Sequence, residues 1–163
     1  RRCVNNDLPR SLGALRRLFR QSPPATSLPS PGDYLVTFVG PTVLRVAAPR
    51  AIALGGMPGW RGKRFADGGT ALNLVERHRG NDHDDDDGAG ALQTTMPMQV
   101  TVEDSWLDGR PAIVCAYGAA GPVPWRWVRD EFRPLDDSRL IGLTLAGGPW
   151  SRVVAAPLLL SRA

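Results

Sequence analysis

The sequence predicts a mainly β protein, a single antiparallel β-barrel of eight to ten strands preceded by one amphipathic helix. Three observations predict it. Short apolar runs are separated by Gly, Pro, Asp or Asn from about residue 33 onward. Several runs alternate apolar and polar residues, which is the pattern of a sheet with one buried and one solvated face. The 163 residues also suffice for one sizeable core.

Residues 8–20 carry the one strong helical pattern, with apolar residues at steps of four, three and four and arginines between them. The apolar positions are Leu8, Leu12, Leu15 and Phe19. We expect Asn6 or Asp7 to cap this helix and Pro9 to occupy its first turn. A basic amphipathic helix packs its apolar stripe on the fold, contacts an anionic membrane or a partner, or serves as a targeting peptide.

Residues 21–32 contain four prolines and predict a linker. The chain therefore divides into a segment of helix and linker, 1–32, and a barrel domain, 33–163. The predicted strands lie at about 33–40, 42–48, 51–55, 60–66, 70–77, 91–103, 111–118, 125–133, 138–146 and 151–160.

The net charge of +4 is not a nucleic-acid signature, because residues 1–20 hold six arginines and one aspartate. The remaining residues sum to −1, whereas phosphate binding needs cations spread over one face. No apolar run reaches the roughly 18 residues of a membrane helix. We expect no secretory signal, because the N-terminal residues lack the apolar run that such a signal needs. Cys3 and Cys115 are expected to be free thiols. These features predict a cytoplasmic protein that binds no nucleic acid.

Metal and cofactor chemistry is not predicted. The acidic run Asp84–Asp87 lacks the alternating ligands of a calcium loop and predicts a solvated loop. The two histidines, His78 and His83, lie beside that run and supply too few ligands for zinc or haem. No serine stands in a G-x-S-x-G elbow.

Polar residues inside the predicted strands are the candidate ligand-binding residues. A charge that points into a barrel costs several kcal/mol unless it is paired or contacts a ligand. Alternation along 125–133 requires that either Arg129 and Glu131 or Asp130 point inward. Trp125 and Trp127 would share a face and could close the core or stack on a flat ligand. The candidates are Arg45, Lys63, Asn73, Tyr117, Trp127, Arg129 and Glu131.

Two motifs resemble those of the uncharacterised GXWXG family of small bacterial proteins, and they cover about a third of the chain. The matching positions are Gly59, Trp60, Gly62, Lys63, Arg64 and Phe65, then Tyr117, Pro124, Asp130, Phe132, Arg133, Asp136, Asp137, Leu140 and Gly142. The resemblance implies a compact lipocalin-like (calycin-like) barrel of unassigned activity and carries over no catalytic residue. It adds weight to Lys63 and Asp130 as site candidates.

Three functions fit this pattern. The favoured one is binding of a small, largely apolar molecule inside the barrel, since barrels of this size hold one small ligand. The second is an isomerase, cyclase or dehydratase in which Asp130 or Glu131 is the base and Tyr117 or Lys63 polarises a carbonyl. The third is an interaction module that contacts a membrane or a partner protein through residues 8–20.

Overall fold

The computed structural model describes residues 8–76, 91–147 and 153–163. Over this part, the chain forms a closed barrel of eight antiparallel strands, in which each strand pairs with its sequence neighbours and the last pairs with the first. The elements are α1 (Leu12–Gln21), β1 (Gly32–Phe38), α2 (Thr42–Leu54), β2 (Trp60–Ala66), β3 (Thr70–Glu76), β4 (Leu92–Asp104), β5 (Pro111–Ala116), a 3₁₀ turn (Trp125–Trp127), β6 (Val128–Pro134), β7 (Arg139–Ala146) and β8 (Val153–Arg162). The predicted fold class is confirmed.

The strands predicted at 42–48 and 51–55 are wrong, because both runs belong to the single helix α2. The valines Val43 and Val46 suggested a strand, but four alanines in the same stretch favour a helix. None of the side chains of α2 is buried. The helix connects the end of β1 to the start of β2, so it lies at one end of the barrel, called the upper end here.

Two other boundaries differ from the sequence prediction. Helix α1 begins at Leu12, because Ser11 caps it by accepting a hydrogen bond from the backbone N–H of Ala14 at 3.2 Å. Pro9 therefore precedes the helix, and the predicted caps at residues 6 and 7 lie outside the described residues. The strand predicted at 125–133 begins only at Val128, since the residues before it form the 3₁₀ turn.

The interior follows the two-residue alternation of the strands. Its lower half, away from α2, is filled by apolar side chains that are at most 8% exposed. They include Tyr34, Phe65, Met98, Ile113, Cys115, Phe132, Leu140, Leu158 and Leu160. Gly142 on β7 leaves the space in which the ring of Phe132 packs. This packing fills the interior below the polar side chains of the upper half, and a separate polar pocket of about 270 Å³ lies at the lower end, between the linker and the turn that joins β6 to β7.

Helix α1 packs on the outer surface of the barrel. Leu15 and Phe19 are fully buried against Ile141, Leu143 and Leu159. The linker then crosses the lower end, where the backbone N–H of Ala25 donates to the carbonyl of Pro111 at 3.1 Å and Ala25 joins the interior core. The apolar stripe that was recognised in the sequence is thus covered by the barrel itself.

Candidate ligand-binding site

A cavity of about 400 Å³ occupies the upper half of the barrel. Helix α2 forms its roof with Leu44, Ala47, Ala51 and Ile52. The walls are mostly apolar and aromatic, and they are supplied by the upper ends of the strands and by the 3₁₀ turn. The wall residues are Phe38, Met57, Trp60, Pro124, Trp125, Trp127, Val128, Ala146, Ala156 and Leu158.

A polar layer forms the floor of this cavity, between the apolar walls above and the packed core below. It contains Lys63, Asn73, Tyr117, Asp130 and Thr144, all of which line the cavity. Each of these side chains lies on the inner face that the two-residue alternation gives its strand. Tyr117 comes directly after β5 and continues the inner face of that strand. The floor of the cavity is therefore polar, and its walls and roof are mostly apolar.

The local sequence of β2 explains how two of its residues reach the cavity. Trp60 and Lys63 are three positions apart, so regular alternation would place them on opposite faces. The register of β2 against β3 shifts between Trp60 and Gly62, and this bulge turns both side chains inward. Gly62 has φ +148°, and a Cβ there would collide with the carbonyl oxygen of Tyr34 on β1. The glycine is thus required for this placement.

Asn73 is the centre of the polar layer and makes all four hydrogen bonds of its amide. Its Oδ1 accepts from Trp60 Nε1 at 3.0 Å and from Lys63 Nζ at 3.4 Å. Its Nδ2 donates to the Met96 carbonyl at 3.2 Å and to the Tyr117 hydroxyl oxygen at 2.8 Å. Full satisfaction of a completely buried amide fixes the positions of the groups around it.

Lys63 and Asp130 form a buried ion pair. Nζ of Lys63 lies 2.8 Å from Oδ2 of Asp130, and the two side chains are 1% and 8% exposed. Lys63 Nζ also lies 3.3 Å from the sulfur of Met98, and it sits 5.4 Å from the centre of the Trp60 ring. The hydroxyl of Thr144 donates to Oδ1 of Asp130 at 2.7 Å. Both charges are therefore held by several partners.

The pair governs the electrostatics of the floor. Burial lowers the pKa of Lys63, but the Asp130 carboxylate, Tyr117 and Cys115 raise it more, so that it ends above the usual value for lysine. Burial raises the pKa of Tyr117, with Lys63 opposing this shift and Asp130 adding to it. Burial likewise raises the pKa of Cys115 to about 12 against the opposing effect of Lys63. The lysine is thus an ammonium, and the phenol and the thiol are protonated at neutral pH.

Aromatic residues surround the cavity above the polar layer. Trp60 packs against Phe38 with ring centres 5.9 Å apart, and Tyr117 packs against Trp125 at 5.8 Å. The indole N–H of Trp125 donates to the carbonyl of Gly55 at 2.7 Å, which attaches the end of α2 to the rim. This bond joins the roof of the cavity to its wall.

Some of the ligand-binding residues predicted from the sequence line the cavity, and others lie elsewhere. Lys63, Asn73, Tyr117 and Trp127 line the cavity. Arg45 does not, because it lies on α2, where it donates to the hydroxyl of Thr42 at 3.1 Å on the exposed side.

Arg129 and Glu131 do not line the cavity either, because alternation along β6 places them outside and Asp130 inside. Outside the barrel, Glu131 accepts from Ser105, from the backbone N–H of Trp106 at 2.9 Å and from Arg129 at 2.9 Å. Its two oxygens are therefore occupied by the segment that follows β4. The sequence left the base open between Asp130 and Glu131, and of these two carboxylates Asp130 lines the cavity and Glu131 does not.

Thr144 and Trp60 were not among the predicted ligand-binding residues. Alternation along β7 could have indicated Thr144, since it shares a face with Leu140 and Gly142. The bulge that turns Trp60 inward has no comparable local signal apart from Gly62. Trp125 and Trp127 both line the cavity from the 3₁₀ turn, where the first is 8% and the second 46% exposed.

Two further features concern the described residues only. They contain no group of three or more His, Cys, Asp or Glu side chains that could hold a metal ion. Neither α1 nor α2 combines the length and apolarity needed for a helix to cross a membrane. The acidic run Asp84–Asp87 and both histidines lie outside the described residues.

The fold and the cavity define a small closed antiparallel barrel with a partly polar internal chamber. No family model matches the chain, and no curated protein matches it. Among solved structures, a protein from Thermomonospora curvata is similar, with a TM-score of 0.61 and 17% identity over 94% of this chain and 88% of that chain. At this identity the similarity supports the fold alone.

Proposed function

We propose that this protein binds a small, largely apolar molecule in the cavity beneath α2. The observation that supports the proposal best is the composition of that cavity. Its volume of about 400 Å³ falls within the usual range for ligand pockets. Apolar walls with a few convergent polar groups are typical of sites in which burial supplies affinity and hydrogen bonds supply orientation.

The energetics of the floor support the same function. Replacing a buried ion pair by apolar residues is often neutral or stabilising, so a barrel built only for stability has no need of Lys63 and Asp130. Here the pair lies at the boundary between a packed core and a cavity. A polar layer at that place orients the polar end of a molecule whose apolar part contacts the walls.

A cavity-filling variant tests this function. Ala156 lies on the cavity wall and is 8% exposed, so Ala156→Phe should fill part of the space. We expect 2-ethylnaphthalene to bind the wild type, as measured by saturation-transfer NMR, and to bind the variant at least tenfold more weakly. Gln99→Phe, at an exposed position of β4, is the matched control and should bind as the wild type does. Equal binding to all three proteins would refute an internal site.

A second function, catalysis on a carbonyl compound, is favoured by one observation. Asp130, Lys63 and Tyr117 all face the same cavity, which is the convergence of a base with hydrogen-bond donors that proton abstraction needs. Asp130 would remove a proton next to the carbonyl, and Tyr117 would donate a hydrogen bond to the oxygen on which charge develops. Deuterium exchange into 2-acetylnaphthalene in D₂O, followed by NMR, tests this function. Exchange no faster with wild type than with Asp130→Asn would exclude it for this compound.

The apolar face of residues 8–20 does not support the predicted contact with a membrane or a partner. Leu15 and Phe19, which would have to make that contact, are fully buried against the barrel.

A further inference from the structure

The hydroxyl group of Tyr117 offers a proton to the cavity. The orientation of the Asn73 amide is fixed, because Trp60 Nε1 can only donate and the Met96 carbonyl can only accept. Nδ2 of Asn73 must therefore be the donor to the Tyr117 oxygen at 2.8 Å. The tyrosine oxygen acts as an acceptor in that bond, so its own proton remains to be donated.

No described residue accepts that proton. The hydrogen bonds of Tyr117 within the described part of the chain consist of the one from Asn73, and the side chain lines the cavity. Its pKa is raised above the usual value, mainly by burial, so the hydroxyl is protonated at neutral pH. The Tyr117 side chain is partly buried, so its hydroxyl is partly shielded from water. An acceptor atom on a ligand supplies the hydrogen-bond partner that the described residues do not.

The ion pair determines the charge that a ligand can carry. The ammonium of Lys63 is neutralised by Asp130 at 2.8 Å, and it also contacts Asn73, Met98 and the ring of Trp60. Among the described residues, Lys63 and Asp130 are the charged ones that line the cavity. An anion would meet the Asp130 carboxylate and a cation would meet the Lys63 ammonium, and either would lose its hydration without an unpaired counter-charge.

We infer that the ligand is an uncharged molecule that carries a carbonyl or another hydrogen-bond acceptor, which receives the proton of Tyr117. This inference rests on the proposed binding function and adds to it the chemical class of the ligand. Fatty acids and other carboxylates, which are common occupants of small barrels in general, are excluded by it. The apolar remainder of the molecule contacts the aromatic residues above the polar layer.

Three naphthalenes of matched shape test the inference: 2-acetylnaphthalene, 2-ethylnaphthalene and 2-naphthoate. They offer a neutral acceptor, no polar group and an anion, respectively. Their affinities for the wild type, Tyr117→Phe and Tyr34→Phe are measured by saturation-transfer NMR at pH 7. Tyr34→Phe is the matched control, because the Tyr34 hydroxyl donates to the Ser30 carbonyl at the lower end of the barrel.

We expect the wild type and Tyr34→Phe to bind the ketone about fivefold more tightly than the hydrocarbon, which corresponds to one net hydrogen bond. In Tyr117→Phe this preference should vanish while hydrocarbon binding persists, and 2-naphthoate should bind most weakly to all three. Equal affinity of ketone and hydrocarbon in the wild type, or 2-naphthoate as the tightest ligand, would overturn the inference and leave the binding function intact. Failure of all three compounds to bind would overturn both.

Discussion

Strand β6 carries charged side chains on both of its faces, and the two sets differ in what surrounds them. On the inner face, Asp130 pairs with Lys63 beside a cavity. On the outer face, Glu131 and Arg133 are fully buried beneath α1 and the segment that follows β4. Burial of a charge is therefore not enough to indicate a binding site. What distinguishes the inner set is its contact with a space that a ligand can occupy.

The outer set attaches the N-terminal helix to the barrel. Arg133 donates to the carbonyls of Phe19 and Arg110, both at 3.0 Å, and forms two bonds to Asp108 at 2.6 and 2.8 Å. Its guanidinium also lies 4.5 Å from the centre of the Phe19 ring. These bonds hold α1, the 105–110 segment and β6 together.

The largest expected effect is therefore on the outer face. We expect Arg133→Ala to lower the free energy of unfolding by about 3–5 kcal/mol, because Asp108 loses its guanidinium partner and three carbonyls lose a donor. These carbonyls belong to Phe19, Arg110 and Pro111. Urea denaturation measures this change. The matched control is Arg139→Ala, which removes an exposed pair with Asp136 and should cost at most about 1 kcal/mol. Equal losses in the two variants would contradict a structural role for the outer network.

The inner pair should behave differently when both of its members are removed. Lys63→Met or Asp130→Leu alone is expected to lower the free energy of unfolding by about 3 kcal/mol, since each leaves an uncompensated buried charge. The double variant, Lys63→Met with Asp130→Leu, should regain most of the unfolding free energy that each single variant loses. A double-mutant cycle in urea measures the coupling between the two residues. Additive losses would show that the pair does not act as a unit.

The smallest expected effect is a change in the acid dependence of stability. Burial raises the pKa of Asp108, but the hydrogen bond from Arg133 and the backbone N–H of Arg110 lower it more, so that it lies below its usual value. The unfolded state therefore binds the proton at a higher pH than the folded state does. The contribution of Asp108 to the free energy of unfolding is complete above the ordinary carboxyl pKa of about 4 and is lost as the pH falls below it.

Asp108→Asn should consequently show a weaker decline of unfolding free energy between about pH 5 and pH 2 than the wild type does. Some decline should persist, because the pKa values of Asp33, Glu103 and Asp136 are also lowered. Urea denaturation at a series of pH values measures both curves. Parallel curves would show that Asp108 contributes nothing to the acid dependence.

The barrel could be predicted from the sequence because its strands are short and alternate regularly. Tyr34, Val36 and Phe38 share one face of β1 as the two-residue period requires. The same rule places Lys63 and Asn73 on the inner face once the bulge in β2 is known. Helix α2 cannot be predicted in the same way, because its valines favour a strand and Pro49 resembles a boundary between two strands. Its position over the cavity depends on the rest of the fold.

The choice between the two faces of β6 could not be made from the local sequence. Alternation allowed either Asp130 or the pair Arg129 and Glu131 to point inward. The decision depends on α1 and the 105–110 segment, which cover the outer face and supply partners for Glu131 and Arg133. These covering elements are distant in the sequence, so no pattern within 125–133 contains the information.

The packed lower half of the barrel has a consequence for exchange kinetics. Because Phe65, Phe132 and Leu160 fill the interior below Lys63 and Asn73, the chamber is a dead end on that side. An occupant has to depart by the side on which it arrived, past α2. A competitor can enter only after the occupant has left, so the rate of replacement should level off at the rate of spontaneous departure as the competitor concentration rises.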